Sequence, residues 1–288
     1  MSDVPVWQEF MQDALDAAYN NMAAVPDSGA RLADWTTRSA TLRARLPGEC
    51  DVVYGPRTRN RIDIFRCGRK DAPLLVFIHG GWWQRNSKEV FSCMAEGPLA
   101  CGMDVALVGY TLAPDASLTG IASEIWAALD CLAAREPVGS CVLSGWSAGG
   151  HLTALSMAHA FVAAGLSISG VFDLEPIRHS YINAKLHLDR GEASLLSPAL
   201  LAPLPKPLTL AYGSNELPEL QRQSRDHAVR PMLDGVPRAK ALISLKPLSG
   251  HDHFSILEEM ARADGALCAE AVALANQALG KRAHGDWP

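Results

Sequence analysis

Residues 141–151 read Cys-Val-Leu-Ser-Gly-Trp-Ser-Ala-Gly-Gly-His, and they decide the fold. An apolar run leads into the pattern G-x-S-x-G at 145–149, and an alanine- and leucine-rich segment with helical spacing follows over His151–Ala164. This order predicts a strand, a tight turn and a helix, because small residues leave room where the backbone is crowded. The helix N-terminus favours negative charge beside the turn. We therefore predict that Ser147, at the centre of the turn, is a nucleophile.

The same order of strand and helix repeats along the chain. Runs that are apolar at nearly every position are typical of strands covered on both faces. Helical spacing separates them, for example over Ile121–Ala134. We predict an α/β fold with a mostly parallel sheet of about eight strands and helices on both faces. The predicted strands are an antiparallel opening pair, Val52–Tyr54 and Arg61–Phe65, followed by Leu74–Ile78, Val105–Gly109, Val138–Ser144, Leu166–Val171, Leu208–Tyr212 and Ala241–Leu245.

Length and charge limit the organisation and the partners. We expect one domain over residues 1–288, because the helical segment 1–45 has too few apolar residues for a core of its own. That segment is predicted to pack on the core or to act as a partial cap. With 26 Lys and Arg against 31 Asp and Glu, the net charge is −5, which favours neither nucleic acid nor an anionic membrane as a partner.

The sequence also predicts a cytoplasmic protein. No Lys or Arg precedes Arg31 and no long apolar run follows it, so a secretory signal is not expected. The most membrane-like window, Leu155–Phe172, is interrupted by His, Gly and Ser and fits a buried helix and strand better than a span. Seven scattered cysteines without a CxxC pattern indicate reduced thiols.

A second motif, His-Gly-Gly-Trp-Trp at 79–83, follows the predicted strand that ends at Ile78. Consecutive glycines allow backbone N–H groups to face a reacting carbonyl oxygen. We predict an oxyanion hole formed by the amides of Gly81, Trp82 and Ala148. The large rings near the serine indicate a tight, aromatic-lined pocket, although one or two of them could equally point into the core. The predicted substrate-binding residues are Gly80, Trp83 and Trp146.

The base and the acid are expected in loops after the last two strands. His253 stands at a loop-to-helix junction, whereas His251 lies among Gly and Asp and fits a solvated loop residue. No third ligand at a recognisable spacing accompanies these histidines, so no metal is predicted. Glu216 follows the strand at 208–212 and is the predicted orienting acid, with Asp173 as the alternative. Glu219 fits a helix cap instead.

In these residues the chain resembles the α/β-hydrolase superfamily. Within that superfamily it resembles the kynurenine formamidase (arylformamidase)-like branch of the hormone-sensitive-lipase-like esterases. The resemblance covers nearly the whole chain. It departs from the family at Glu216, where the family usually has Asp. The motifs that carry it lie at 19–21, 25–27, 79–83, 110–114, 145–151, 169–176, 218–224 and 252–255.

The resemblance implies a serine hydrolase that cleaves a small acyl ester or an N-formyl or aryl amide through an acyl-enzyme, with Ser147, His253 and Glu216 as its triad. It implies no cofactor, and neither a Walker A motif nor a dinucleotide fingerprint occurs in the sequence. Two alternatives remain at this point: a general short-chain carboxylesterase and a non-catalytic ligand-binding protein. The sequence leaves a homodimer open.

Overall fold

Alternating side chains along the central strands build two layers of core, one on each face of the sheet. In the strand at 74–78, which is buried throughout, Val76 packs into one hydrophobic cluster and Phe77 into the other. This follows from the two-residue period of a strand. The structure is a computed structural model, and it describes residues 5–136, 141–233, 235 and 242–283.

Within those residues the sheet has eight strands, in the order β1-β2-β4-β3-β5-β6-β7-β8. β1 and β2 are antiparallel, as are β2 and β4, and all other neighbours are parallel. The mostly parallel sheet with an antiparallel opening pair is thus confirmed. The strands are β1 (Gly48–Val53), β2 (Arg61–Phe65), β3 (Leu74–Ile78), β4 (Asp104–Val108), β5 (Cys141–Trp146), β6 (Val162–Ile168), β7 (Leu208–Gly213) and β8 (Ile243–Leu248).

Helices cover both faces. Leu129 of the long helix after β4 belongs to the Val76 cluster, and Ala271 of the C-terminal helix belongs to the Phe77 cluster. The described helices are α1 (Gln12–Ala18), α2 (Asn21–Ala24), α3 (Ser28–Arg45), α4 (Glu96–Ala100), α5 (Leu118–Arg135), α6 (Ala148–Leu155), α7 (Glu175–His179), α8 (Asn183–Leu186), α9 (Arg190–Leu195), α10 (Pro218–Leu233), α11 (Glu258–Ala261) and α12 (Ala266–Ala283), with 3₁₀ turns at Lys88–Ala95, Ser156–Ala158, Pro198–Leu200 and Ser255–Leu257.

The N-terminal helices pack against the sheet domain through α3. The Trp35 indole is fully buried, and its Nε1 donates to Glu258 Oε1 over 2.7 Å. The Ser39 hydroxyl donates to Val90 O over 2.8 Å and accepts from Cys93 N over 2.9 Å. Contacts of this length and burial fix α3 beside the 3₁₀ turn at Lys88–Ala95.

The predicted strand Leu166–Val171 is displaced to Val162–Ile168, and the predicted strand Ala241–Leu245 ends three residues later, at Leu248. The apolar run before Gly165 is predicted as the end of a helix, but α6 ends at Leu155 and β6 begins at Val162. A short apolar run fits a buried helix and a buried strand equally well, which explains the error. β6 ends at Ile168 because Ser169 has a left-handed backbone, with φ +52°. Residues 138–140 and 241, which also belong to predicted strands, lie outside the described residues.

Two structural features bear on where the protein could be located: its helices and its cysteines. In the ranges that the structure describes, no helix combines the length and apolar character needed to span a bilayer. All seven cysteines lie within these ranges, and none of them forms a disulfide.

Candidate active site

Ser147 stands on the turn between β5 and α6. Its backbone is left-handed, with φ +58° and ψ −117°, which is strained for a residue with a side chain. Ser147 N donates to Ile168 O over 2.8 Å, which ties the turn to the end of β6. A Cβ on Gly149 would lie only 2.0 Å from Ile78 O, so only glycine allows α6 to start this close to β3. The predicted strained turn around the serine is therefore present.

His253 and Glu216 form a buried hydrogen-bonded pair. His253 Nδ1 lies 3.1 Å from Glu216 Oε2, and the two residues are 3% and 5% exposed. Trp146 Nε1 donates to His253 O over 2.8 Å, and the two rings lie 4.9 Å apart. Asp252 Oδ1 accepts from Phe254 N and Ser255 N, and it thereby fixes the loop on both sides of the histidine.

The Glu216 carboxylate is held by two further donors. Ser169 Oγ and Gly213 N each donate to Oε1 over 2.6 Å. Gln221 Nε2 donates to Glu216 O over 2.7 Å, so the backbone is held as well. These contacts leave Oε2 directed at His253, and the extra methylene of a glutamate is accommodated without loss of the pairing.

The competing residues lie elsewhere. Asp173 Oδ1 accepts from Glu175 N over 2.9 Å, and burial raises the pKa of Asp173. His251 is partly exposed, and its Nε2 is 3.8 Å from Glu259. Glu219 accepts from the Tyr19 hydroxyl over 3.2 Å. His253 is thus paired with Glu216, whereas Asp173, His251 and Glu219 have other partners.

The loop after β3 has an unusual backbone. Gly81, Trp82 and Trp83 have φ of +122°, +53° and +57°, and a left-handed conformation is rare for residues as bulky as tryptophan. Gly81 O accepts from Gln84 N and Arg85 N, which closes the loop into a turn. Strain of this kind persists only where neighbouring contacts hold it, and it is common at functional sites.

A buried histidine, His79, contacts the backbone of the loop after β3. The His79 ring stacks on Tyr110 at 4.3 Å, and its Nδ1 lies 2.9 Å from Gly80 O. Burial lowers the pKa of His79 to about 4. A neutral ring can carry its proton on Nδ1 and donate to Gly80 O, so His79 fixes the loop rather than taking part in proton transfer.

A cavity of about 70 Å³ joins these elements. Ser147, His253, Gly81, Trp82 and Trp146, all of them predicted, line it. Its other lining residues, which the sequence reasoning missed, are Asn21, Met22, Leu32, Arg85, Asn86 and Phe254. Three of these belong to the N-terminal helices, and the motif at 19–21, which includes Asn21, is the signal that could have linked them to the site.

The remaining predicted residues lie beside this cavity or away from it. Ala148 begins α6, so its N–H is among those without a partner inside the helix. A Cβ on Gly80 would lie 3.0 Å from Ser147 Cβ, so Gly80 borders the serine. The sequence predicts a substrate-binding role for Trp83, but its indole is fully buried and packs edge-on against His151 at 5.0 Å. We therefore assign Trp83 to the core.

A larger cavity among the described residues does not contain these groups. This cavity, of about 180 Å³ and lined by Met157, Leu204 and Lys206 among others, contains neither Ser147 nor His253. Chemistry, rather than size, therefore distinguishes the Ser147 cavity. Among the described residues, no group of three or more His, Cys, Asp or Glu side chains could hold a metal ion.

Comparison with known proteins agrees with the fold. A family model described as the α/β-hydrolase fold matches residues 75–248, and the chain belongs to that family. It is thus a hydrolase of the α/β fold. The matched segment includes the serine turn, the loop after β3 and Glu216.

Particular relatives carry the comparison further. The chain is similar to kynurenine formamidase of Danio rerio, with 27% identity over 90% of this chain and 94% of the relative. Kynurenine formamidase of Salmo salar is 26% identical over the same shares. A crystal structure of a Silicibacter sp. TM1040 protein, described as a candidate thioesterase, superposes with a TM-score of 0.80 at 27% identity, covering 90% of this chain and 98% of that chain. An esterase from Pyrobaculum calidifontis has the same fold, with a TM-score of 0.67 at 18% identity over 95% and 96% of the two chains.

Proposed function

We propose that this protein is a serine hydrolase that cleaves small aryl formamides, amides or esters through an acyl-enzyme. One observation carries the proposal: the serine on a strained turn and a histidine hydrogen-bonded to a buried carboxylate line the same cavity. Nucleophile, base and orienting acid follow in the chain order Ser147, Glu216, His253, which is the order of α/β-hydrolases.

In this mechanism Ser147 Oγ attacks the substrate carbonyl carbon while His253 Nε2 accepts the serine proton. Glu216 holds the Nδ1–H and stabilises the imidazolium that forms. His253 then gives the proton to the leaving amine or alcohol, and the acyl group stays on Ser147. Water attacks this acyl-enzyme with His253 again as base, which releases the acid and restores the hydroxyl.

The oxyanion is proposed to accept hydrogen bonds from the amides of Gly81, Trp82 and Ala148. Gly81 and Trp82 line the cavity, and Ala148 begins the helix behind Ser147. Each such donor contributes about 3–4 kcal/mol to transition-state stabilisation in measured enzymes. The positive φ angles of Gly81, Trp82 and Trp83 support this role, because backbone strain of this kind is common at functional sites.

Aryl formamides are the preferred substrate class in this proposal. The kynurenine formamidase relatives favour a formamide, and the small cavity, with Trp82 and Trp146 among its lining residues, suits a short acyl group. Short-chain carboxylic esters are the second candidate, because the same residues are able to cleave them. We place the enzyme in the cytoplasm, in line with its seven cysteines, none of which forms a disulfide.

The test begins with a fluorophosphonate probe, which labels an activated serine and would leave a mere binding protein unlabelled. Ser147→Ala and His253→Ala are each expected to lower kcat by several orders of magnitude, and the double variant little further, because the pair acts as a unit. His251→Ala is the control and should be much milder. A panel of N-formylkynurenine and nitrophenyl esters of graded acyl length then identifies the substrate class. Near-normal turnover in either single variant would overturn the proposal.

A further inference from the structure

Asn21 is one of the residues that line the Ser147 cavity, and its buried carboxamide has no partner. Asn21, the first residue of α2, is 4% exposed, and neither its Nδ2 nor its Oδ1 makes a hydrogen bond to any other described residue. Because both ends are unpartnered, this observation does not depend on which way round the amide is placed. The adjacent Asn20 differs, since its Oδ1 accepts from Ala23 N over 3.2 Å and caps the helix.

A buried carboxamide without hydrogen bonds lowers the stability of the protein unless another molecule supplies the missing partners. Buried polar atoms in folded proteins almost always have a partner, and each unpartnered one carries the full cost of its desolvation. Asn21 carries one donor group and one acceptor atom without partners, and it lines the same cavity as Ser147 and His253. A group that enters the cavity to react is therefore the natural partner.

The acceptor end is the selective one. Asn21 Oδ1 only accepts, so it needs an N–H or O–H donor from the molecule that occupies the cavity. A formamide or other carboxamide carries an N–H beside its carbonyl, whereas an ester has an oxygen there and would leave Oδ1 unsatisfied. Sites built to hydrogen-bond a substrate N–H or O–H discriminate strongly against the analogue that lacks it.

We propose that Asn21 is a positioning residue that selects amide and formamide substrates over the matching esters, an inference that rests on the proposed hydrolase function. The N–H of the substrate donates to Oδ1 and holds the scissile group against Ser147. The Nδ2 group remains available to a substrate acceptor. In this proposal a residue of the N-terminal helices selects the substrate, whereas the reacting residues lie in the loops that follow the strands.

The test compares 4-nitroformanilide with 4-nitrophenyl formate, which differ only in N–H against O at the scissile bond. The kcat/KM of both compounds is measured on the same preparation of wild type, Asn21→Leu and Asn20→Ala, after subtraction of uncatalysed hydrolysis. The ratio of amide to ester kcat/KM does not depend on the folded fraction, so a destabilised variant remains informative. Asn21→Leu should lower this ratio by about ten- to a hundredfold, whereas Asn20→Ala, which removes only the cap, should leave it within about twofold.

An unchanged amide-to-ester ratio in Asn21→Leu would overturn the role of Asn21 and leave the hydrolase proposal standing. An equal fall of the ratio in Asn20→Ala would do the same, because the placement of the N-terminal segment, and not the Asn21 side chain, would then set the preference. A wild-type protein that cleaves only the ester would overturn the role of Asn21 and leave the hydrolase proposal standing. A wild-type protein that cleaves neither compound would overturn both.

Discussion

Replacing Glu216 by glutamine should lower kcat by about three to four orders of magnitude and leave KM little changed. The carboxylate oxygen lies 3.1 Å from His253 Nδ1. At this separation, Coulomb's law with an effective dielectric constant of about 20 gives about 5 kcal/mol between a carboxylate and an imidazolium. Each 1.36 kcal/mol is tenfold in rate, so the loss of this charge corresponds to about 10⁴ in the transition state, where the imidazolium exists.

The substitution should spare the local structure. In Glu216→Gln, Oε1 still accepts from Ser169 Oγ and Gly213 N, so the loop keeps its anchors. The new NH₂ group faces Nδ1 and donates to it, which moves the His253 proton to Nε2. A histidine protonated there cannot accept the proton of Ser147.

The assay is steady-state hydrolysis of 4-nitrophenyl acetate, with the thermal unfolding midpoint as a check that the variant is folded. Asp173→Asn is the matched control, because Asp173 Oδ1 accepts from Glu175 N and makes no contact with His253 in the structure. The control should retain most of the activity. A Glu216→Gln enzyme within tenfold of wild type, or an Asp173→Asn enzyme that is the more damaged of the two, would refute the assignment of the acid.

Two further predictions concern selectivity and pH. The cavity beside Ser147 has a volume of about 70 Å³. For esters of one phenol, kcat/KM should therefore fall as the acyl chain grows from acetyl through butyryl to octanoyl, because overpacking costs more free energy than a buried methylene returns. A maximum of kcat/KM at octanoyl would contradict the narrow pocket. Burial lowers the pKa of His79, His151 and His227 to about 4, whereas each returns to about 6.5 on unfolding. The unfolded chain therefore binds more protons between these values, and the free energy of unfolding should fall as pH falls from about 6.5 to about 4, by up to about 3 kcal/mol per histidine. Urea unfolding near pH 7 and near pH 4.5 measures this, and equal free energies would contradict it.

Much of the fold could be predicted because its signals are local. β3 has the predicted bounds, since its five apolar residues are bounded by Pro73 and Gly80 and are too few for a typical helix. The turn at Ser147 was equally readable, because glycines on both sides are needed where α6 starts against β3. The start of β6 at Val162 could not be predicted, because an apolar run has no local feature that separates a buried helix from a buried strand.

Sequence order ranked Glu216 and His253 first as acid and base, but it could not exclude their alternatives. Glu216 and Asp173 both follow strands, and His251 and His253 differ by only two positions. The choice depends on how the loops after β7 and β8 lie against each other, where Asn215 N donates to His251 O over 2.9 Å and turns the next residues inward. A contact between segments far apart in sequence leaves no local pattern.

By itself, the sequence determined the strand–turn–helix around Ser147, the glycine loop after β3 and the parallel sheet that carries both. These features depend on backbone geometry within a few residues, which composition and spacing encode directly. Only the tertiary structure decided that Trp83 turns into the core and that Asn21, well over a hundred residues before the serine, lines its cavity. The destination of a side chain depends on the packing of segments that the fold brings together, and no short stretch of sequence records that packing.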